Sequence, residues 1–120
     1  MRLVVCFSVL GLLTATLLPE IVFASTPKIP IADGKYAATP ADCEQRMGDD
    51  YTISHGGTGI SDDGNTYDCS VVSFVQGHLV AKCITGMGGH DMGNTDYMMS
   101  VTRKGLVVDG KLYKKCQVSR

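Results

Sequence analysis

The hydrophobic pattern of this chain falls into two unlike parts, one long apolar run at the start and short alternating runs everywhere after it. Leu3 to Leu18 is almost unbroken apolar sequence, preceded by Arg2 and ended by Pro19, and Val22-Phe23-Ala24 then places small or modest side chains at cleavage positions. A positive start, a short apolar middle and a small-residue exit predict a signal peptide over 1–24. The run is shorter than the ~20 residues a bilayer span needs, and Glu20 stands where a stop-transfer flank would be basic. The mature chain is expected to begin near Ser25 with no transmembrane segment, and Cys6 leaves with the leader.

Residues 25–33 hold Pro27 and Pro30 without periodicity and predict a flexible arm, so one domain is expected over 34–120. Thr39-Pro40-Ala41-Asp42 joins a helix-capping side chain, a proline at the first helical position and an acid in the first turn, which predicts a short helix through Met47. Beyond Asp50 the alternation shortens to a period of two. It predicts strands over Tyr51–Ser54, Gly59–Ser61, Tyr67–Val75 and His78–Thr85, with turns at Asp63-Gly64 and Gln76-Gly77. Tyr67–Val75 carries apolar residues on both faces, the pattern of a central strand covered on each side.

A long loop, Gly86 to Asn94, is expected before a strand over Asp96–Arg103, and Lys104-Gly105 and Asp109-Gly110 are turns around Leu106-Val107-Val108. Leu112, Cys116 and Val118 are expected on the inner face of the last strand. The fold class is α+β and mainly β: a small antiparallel sheet, either a meander or a partly closed barrel, with one short N-terminal helix and two disulfides.

Four cysteines remain after the leader, Cys43, Cys69, Cys83 and Cys116, an even number in a chain bound for an oxidising compartment. Pairing Cys43 with Cys69 and Cys83 with Cys116 is preferred because each bridge then ties distant segments; Cys69–Cys83 with Cys43–Cys116 is the rival. Zinc is disfavoured, since no two of the four stand at finger or ribbon spacing. The formal net charge is −1, and the basic pairs Arg103-Lys104 and Lys114-Lys115 make no stripe along which phosphates could bind, so nucleic acid is not an expected partner.

Candidate chemistry lies in two glycine-rich stretches, His55-Gly56-Gly57-Thr58-Gly59 and Gly86 to Gly93. Antiparallel parity puts His55 at the end shared with Gln76-Gly77, near His78, and puts His90 at the opposite end with Asp62, Asp63, Asp91 and Asp96. Met87, His90, Asp91 and Met92 form the candidate binding loop. Met87, His90 and Met92 offer thioether and imidazole donors suited to copper(I), with no other cofactor implied. Asp62, Asp63, Asn65 and Asp68 lack the register of a calcium loop and read as a turn. A small secreted hydrolase is the remaining alternative, although no nucleophile elbow is present and no catalytic residue is nominated.

The leader, the four cysteines and the closing Leu112-Tyr113-Lys114-Lys115-Cys116 strand resemble short bacterial periplasmic proteins. In size and β content the chain is also similar to the small periplasmic lysozyme inhibitors, from which no motif or residue is carried over. The resemblance implies a compartment, the periplasm in a Gram-negative host and secretion otherwise. The functional expectation is a non-enzymatic binding or accessory module that presents glycine-rich loops to a protein or envelope component.

Overall fold

The computed structural model describes residues 26–117; the leader expected over 1–24 and Val118 lie outside them. Eight strands follow one another around a closed antiparallel barrel: β1 Gly34–Ala37, β2 Asp50–Ser54, β3 Gly59–Asp62, β4 Tyr67–Val75, β5 His78–Thr85, β6 Asp91–Thr102, β7 Gly105–Val108 and β8 Lys111–Lys115. The last strand returns to the first, Tyr36 opposite Lys115 and Ala37 opposite Lys114, so among the described residues no strand of the sheet is left without two neighbours. Every connection is short enough for neighbours to pair in order.

Period-two alternation fills the interior. Leu79, Ala81 and Cys83 of β5 point inward with no measurable exposure, joined by Ile53, Ile60, Met99, Leu106 and Val108 at 1–2 % or less. Of the two adjacent methionines of β6, Met99 is core and Met98 is exposed, as a strand requires. Side chains therefore occupy the space that a larger barrel would leave for a ligand.

One irregularity on β4 sets much of this packing. The Gln76-Gly77 turn pairs Val75 with His78, Phe74 with Leu79 and Ser73 with Val80, and then the register slips by one residue, so that Val71 faces Ala81. Val72 is the extra residue, a β-bulge, and it is solvent-exposed. Apolar side chains alternate onto both faces of β4 because parity reverses at this point: Cys69 and Val71 point inward before it and Phe74 after it. The expected central strand covered on both sides is thereby corrected.

The bulge also decides the cysteine pairing. The slipped register sets Cys69 directly opposite Cys83, and the two are bonded; the second bridge joins Cys43 to Cys116. The preferred pairing, Cys43–Cys69 with Cys83–Cys116, is thus wrong and its rival holds.

Four further expectations need correction. The helix over 39–47 is a succession of turns: the amides of Asp42, Cys43 and Glu44 donate to the carbonyls three residues back at 3.1, 3.2 and 3.2 Å. The Asp42 carboxylate is drawn away by the Thr39 hydroxyl and the Asp49 amide, and Cys43 is tied to Cys116, so the chain turns back instead of winding on. The arm over 25–33 is anchored where it is described. Ile29 is 1 % exposed and its amide donates to Gly57 O at 2.8 Å.

The long loop shrinks to residues 86–90, because β6 begins at Asp91 and pairs it with Ile84 across a second register shift. In β8 it is Tyr113 that points inward, opposite Leu106, whereas Leu112 faces Val107 on the outer wall. The apolar Leu112 invited the other parity, but the large amphipathic ring takes the core and keeps its hydroxyl for a partner at the barrel rim.

Candidate functional site

The strand order gives the barrel two ends. At one lie the turns 76–77 and 103–104 and the link 55–58, and the link packs against Ile29. Gly57 there has φ 89°, and a Cβ on it would lie 2.3 Å from Ile29 O, so this close approach requires glycine. The Asp33 carboxylate accepts the Gly56 and Gly57 amides at 3.0 and 3.2 Å and fixes the strap over this end.

The other end is polar. The rings of Tyr51, Tyr97 and Tyr113 stand edge-to-face, with centroids 6.2 Å apart for Tyr51–Tyr97 and 5.0 Å for Tyr51–Tyr113. The Tyr97 hydroxyl donates to Asp62 at 3.2 Å, and the Asn65 side-chain amide donates to the same oxygen at 2.9 Å. The Tyr113 hydroxyl donates to Asp49 at 2.8 Å, and Lys111 binds the other oxygen of that carboxylate. Burial first, then the nearby Asp62 charge, holds the Tyr51 and Tyr97 hydroxyls above the ordinary tyrosine range; burial and the bond to Asp49 do so for Tyr113. The phenols remain neutral donors throughout the range in which proteins work.

Behind this rim lies a carboxylate pair. Asp50 is 1 % exposed, with Lys35 Nζ at 3.2 Å, and Asp63 stands across from it where β2 and β3 pair. Asp63 accepts the Thr52 hydroxyl at 2.9 Å, and its amide donates to Asp50 O at 3.1 Å. Burial and then Asp63 push the Asp50 carboxyl up to about 7, and Lys35 opposes that only in part.

The sequence singled out neither Asp50 nor the three tyrosines as a group. Asp62-Asp63 was visible as an acidic turn; Asp50, thirteen residues earlier by number, meets it only because β2 and β3 pair.

The candidate loop residues Met87, His90, Asp91 and Met92 all lie at the tip of the β5–β6 hairpin, at the polar end, and all are exposed. Met87 is 83 % exposed and Met92 and Ile84 are both 42 % exposed, three apolar side chains within nine residues of sequence that face water. The tip is held firmly: the Thr85 amide donates to His90 O at 3.0 Å, the His90 amide to the Thr85 hydroxyl at 3.1 Å and the Gly86 amide to Thr66 O at 2.7 Å. Met87, His90 and Met92, the candidate copper ligands, thus share one tip. Among the described residues no three His, Cys, Asp or Glu side chains converge as a metal set.

The acids expected around His90 are engaged elsewhere, Asp62 with Tyr97 and Asn65, Asp63 with Thr52, and Asp96 with His78 at 3.5 Å on the outer wall.

Two open grooves mark the outer wall. One, of about 450 Å³, is lined by Ser54, His55, Ser61, Asp68, Ser70 and Lys82. Asp68 in it accepts the Ser61 hydroxyl at 2.9 Å, and among the described residues no serine hydroxyl is hydrogen-bonded to an imidazole. The other, of about 440 Å³, runs beside the Cys43–Cys116 bridge, Pro40, Lys114 and Lys115. No known protein family, characterised protein or solved structure matches the chain.

Proposed function

We propose that the chain is an exported, non-enzymatic binding protein that meets its partner with the tip of the β5–β6 hairpin. The observation that carries this reading is the exposure of Met87 on the turn, and of Ile84 and Met92 on the strand ends flanking it, where the backbone is pinned at both ends. Apolar side chains held in water without a folding role mark contact surfaces, and methionine adapts well to varied partners. A rigid tip loses little conformational freedom on binding.

The filled interior directs attention to the outside of the barrel rather than to a ligand within it. Two disulfides suit an oxidising, extracytoplasmic compartment, in keeping with the leader expected over 1–24. The similarity in size and β content to periplasmic lysozyme inhibitors nominates a secreted lytic enzyme among the partner proteins to try.

The test is capture from an envelope or secreted fraction, and from purified lysozyme, with the native protein and with Met87→Asp combined with Met92→Asp. Both substitutions lie on the exposed tip and leave the core intact. A partner held by the native chain and released by the variant, by roughly tenfold or more in affinity, supports the tip. Equal capture by both removes it.

A further inference from the structure

The two carboxylate oxygens of Asp50 are the only buried side-chain polar atoms among the described residues that lack a hydrogen bond. Such atoms cost stability unless something satisfies them. Lys35 supplies charge at 3.2 Å, but its ammonium also donates to Gln45 O at 2.9 Å and is poorly aimed at Asp50. The remaining neighbour is a second carboxylate, Asp63. Two acids opposed across paired strands, one of them shielded from water, repel when both are ionised, and a proton between them supplies the missing donor and removes the repulsion at once.

Among the described residues, the Thr52 hydroxyl donates to Asp63, and the other polar groups around the pair are engaged elsewhere or exposed. From the 38–49 segment, Asp42 is taken by Thr39 and the Asp49 amide, Asp49 by Lys111 and Tyr113, and Glu44 and Arg46 are exposed. From the β3–β4 turn, Asp62 is taken by Tyr97 and Asn65. Among the described residues, Lys35 of β1 is the one cation facing Asp50.

We propose that Asp50 and Asp63 share a single exchangeable proton that locks the 38–49 segment and the 63–66 turn onto the polar end of the barrel. The closing bonds run in series through the pair: Asp50 N to Gly48 O at 2.9 Å, Asp63 N to Asp50 O at 3.1 Å, Thr66 N to Asp63 O at 3.3 Å and Gly86 N to Thr66 O at 2.7 Å. The last of these supports the hairpin tip, so the proton also governs how firmly that tip is held. Any effect on partner contact rests on the binding reading above; the lock itself does not.

The sign follows from linkage. When the end is closed the pair keeps its proton up to about 7, whereas an opened Asp50 in water loses it near the ordinary carboxylate value. Opening therefore becomes easier as pH rises between those two values and levels off above the higher one.

Hydrogen exchange on the native protein, corrected for intrinsic rates, reads this directly. Protection at Asp50, Asp63, Thr66 and Gly86 is expected to fall by up to about tenfold per pH unit between about pH 5 and 7. The Ile29 and Gly57 amides at the far end should stay level, and Asp50→Asn should abolish the slope. A native profile as flat as that of Ile29, or an undiminished slope in Asp50→Asn, overturns the proposal. Should that variant fail to fold, carboxyl-carbon NMR of the native chain decides. One group of the pair titrating near neutrality supports the shared proton, and both titrating below about pH 5 overturn it.

Discussion

The two ends of this barrel are closed by opposite means. At one, Ile29 enters the core from the N-terminal segment and Asp33 ties down the glycine amides beneath it. At the other, three tyrosine hydroxyls, the carboxylates of Asp49, Asp50, Asp62 and Asp63, and a surface segment pinned by Cys43–Cys116 share the task. Apolar burial responds weakly to pH and to reductant, whereas a buried proton and a bridge at the surface respond to both. The apolar end therefore acts as a fixed base, and whatever adjusts in this protein adjusts at the polar end, where the exposed hairpin tip also lies.

The bridge gives the largest expected break in that contrast. Replacing Cys43 and Cys116 together by serine opens a closed span of 73 residues, and loop entropy puts the loss at about 4 kcal/mol in denaturant unfolding. Local exchange protection should fall mainly at the polar end. Next comes Ile29→Ala, expected to cost about 2–4 kcal/mol by lost burial and the cavity left behind. It should loosen the 55–58 link while leaving the Tyr97–Asp62 bond intact, which chemical-shift mapping would reveal.

The smallest effect has the opposite sign. Because the Asp50 carboxyl is raised in the fold, its contribution to stability is fully present below the unfolded value and is lost as pH rises towards about 7. Asp50→Asn keeps a donor for Asp63 and cannot ionise, so near neutral pH it should be the more stable protein by about 1–3 kcal/mol. Unfolding curves at acid and neutral pH should show the gap shrinking on the acid side. A variant less stable at neutrality would mean that the charged form of Asp50 is the one the fold favours.

The sequence carried the barrel wall more clearly than its ends. β4 and β5 were found to the residue, because Gln76-Gly77 is an unambiguous turn between two alternating runs. The start of β6 was missed, since Asp91-Met92-Gly93-Asn94 has a loop's composition and pairs only through a register shift against β5. β1 was not recognised as a strand. Four residues, Gly34-Lys35-Tyr36-Ala37, are too few for alternation to register, and their pairing with β8 is a contact between distant parts of the chain.

The candidate tip was marked by its own composition, and its position followed from strand parity. The acid pair had no such local mark. Asp50 looks like any surface aspartate ahead of a strand until the turn at Asp63 and the segment over Gly48 cover it, and burial of that kind is a property of the assembled surface rather than of a window of residues.

The slip at Val72, finally, decides more of this molecule's chemistry than the exposure of that residue suggests. With an unslipped hairpin, Cys69 would stand across from Ile84 and point outwards, stranding Cys83 in the core as an unreacted thiol. A hairpin that paired Val72 in step instead of bulging it out would thus leave a reactive sulfur on the outer wall, ready to cross-link one molecule to the next, whereas deletion of Val72 would straighten β4 and keep Cys69 opposite Cys83. The slip within β4 is in effect a chemical specification: it decides whether oxidation closes the barrel on itself or joins it to its neighbours.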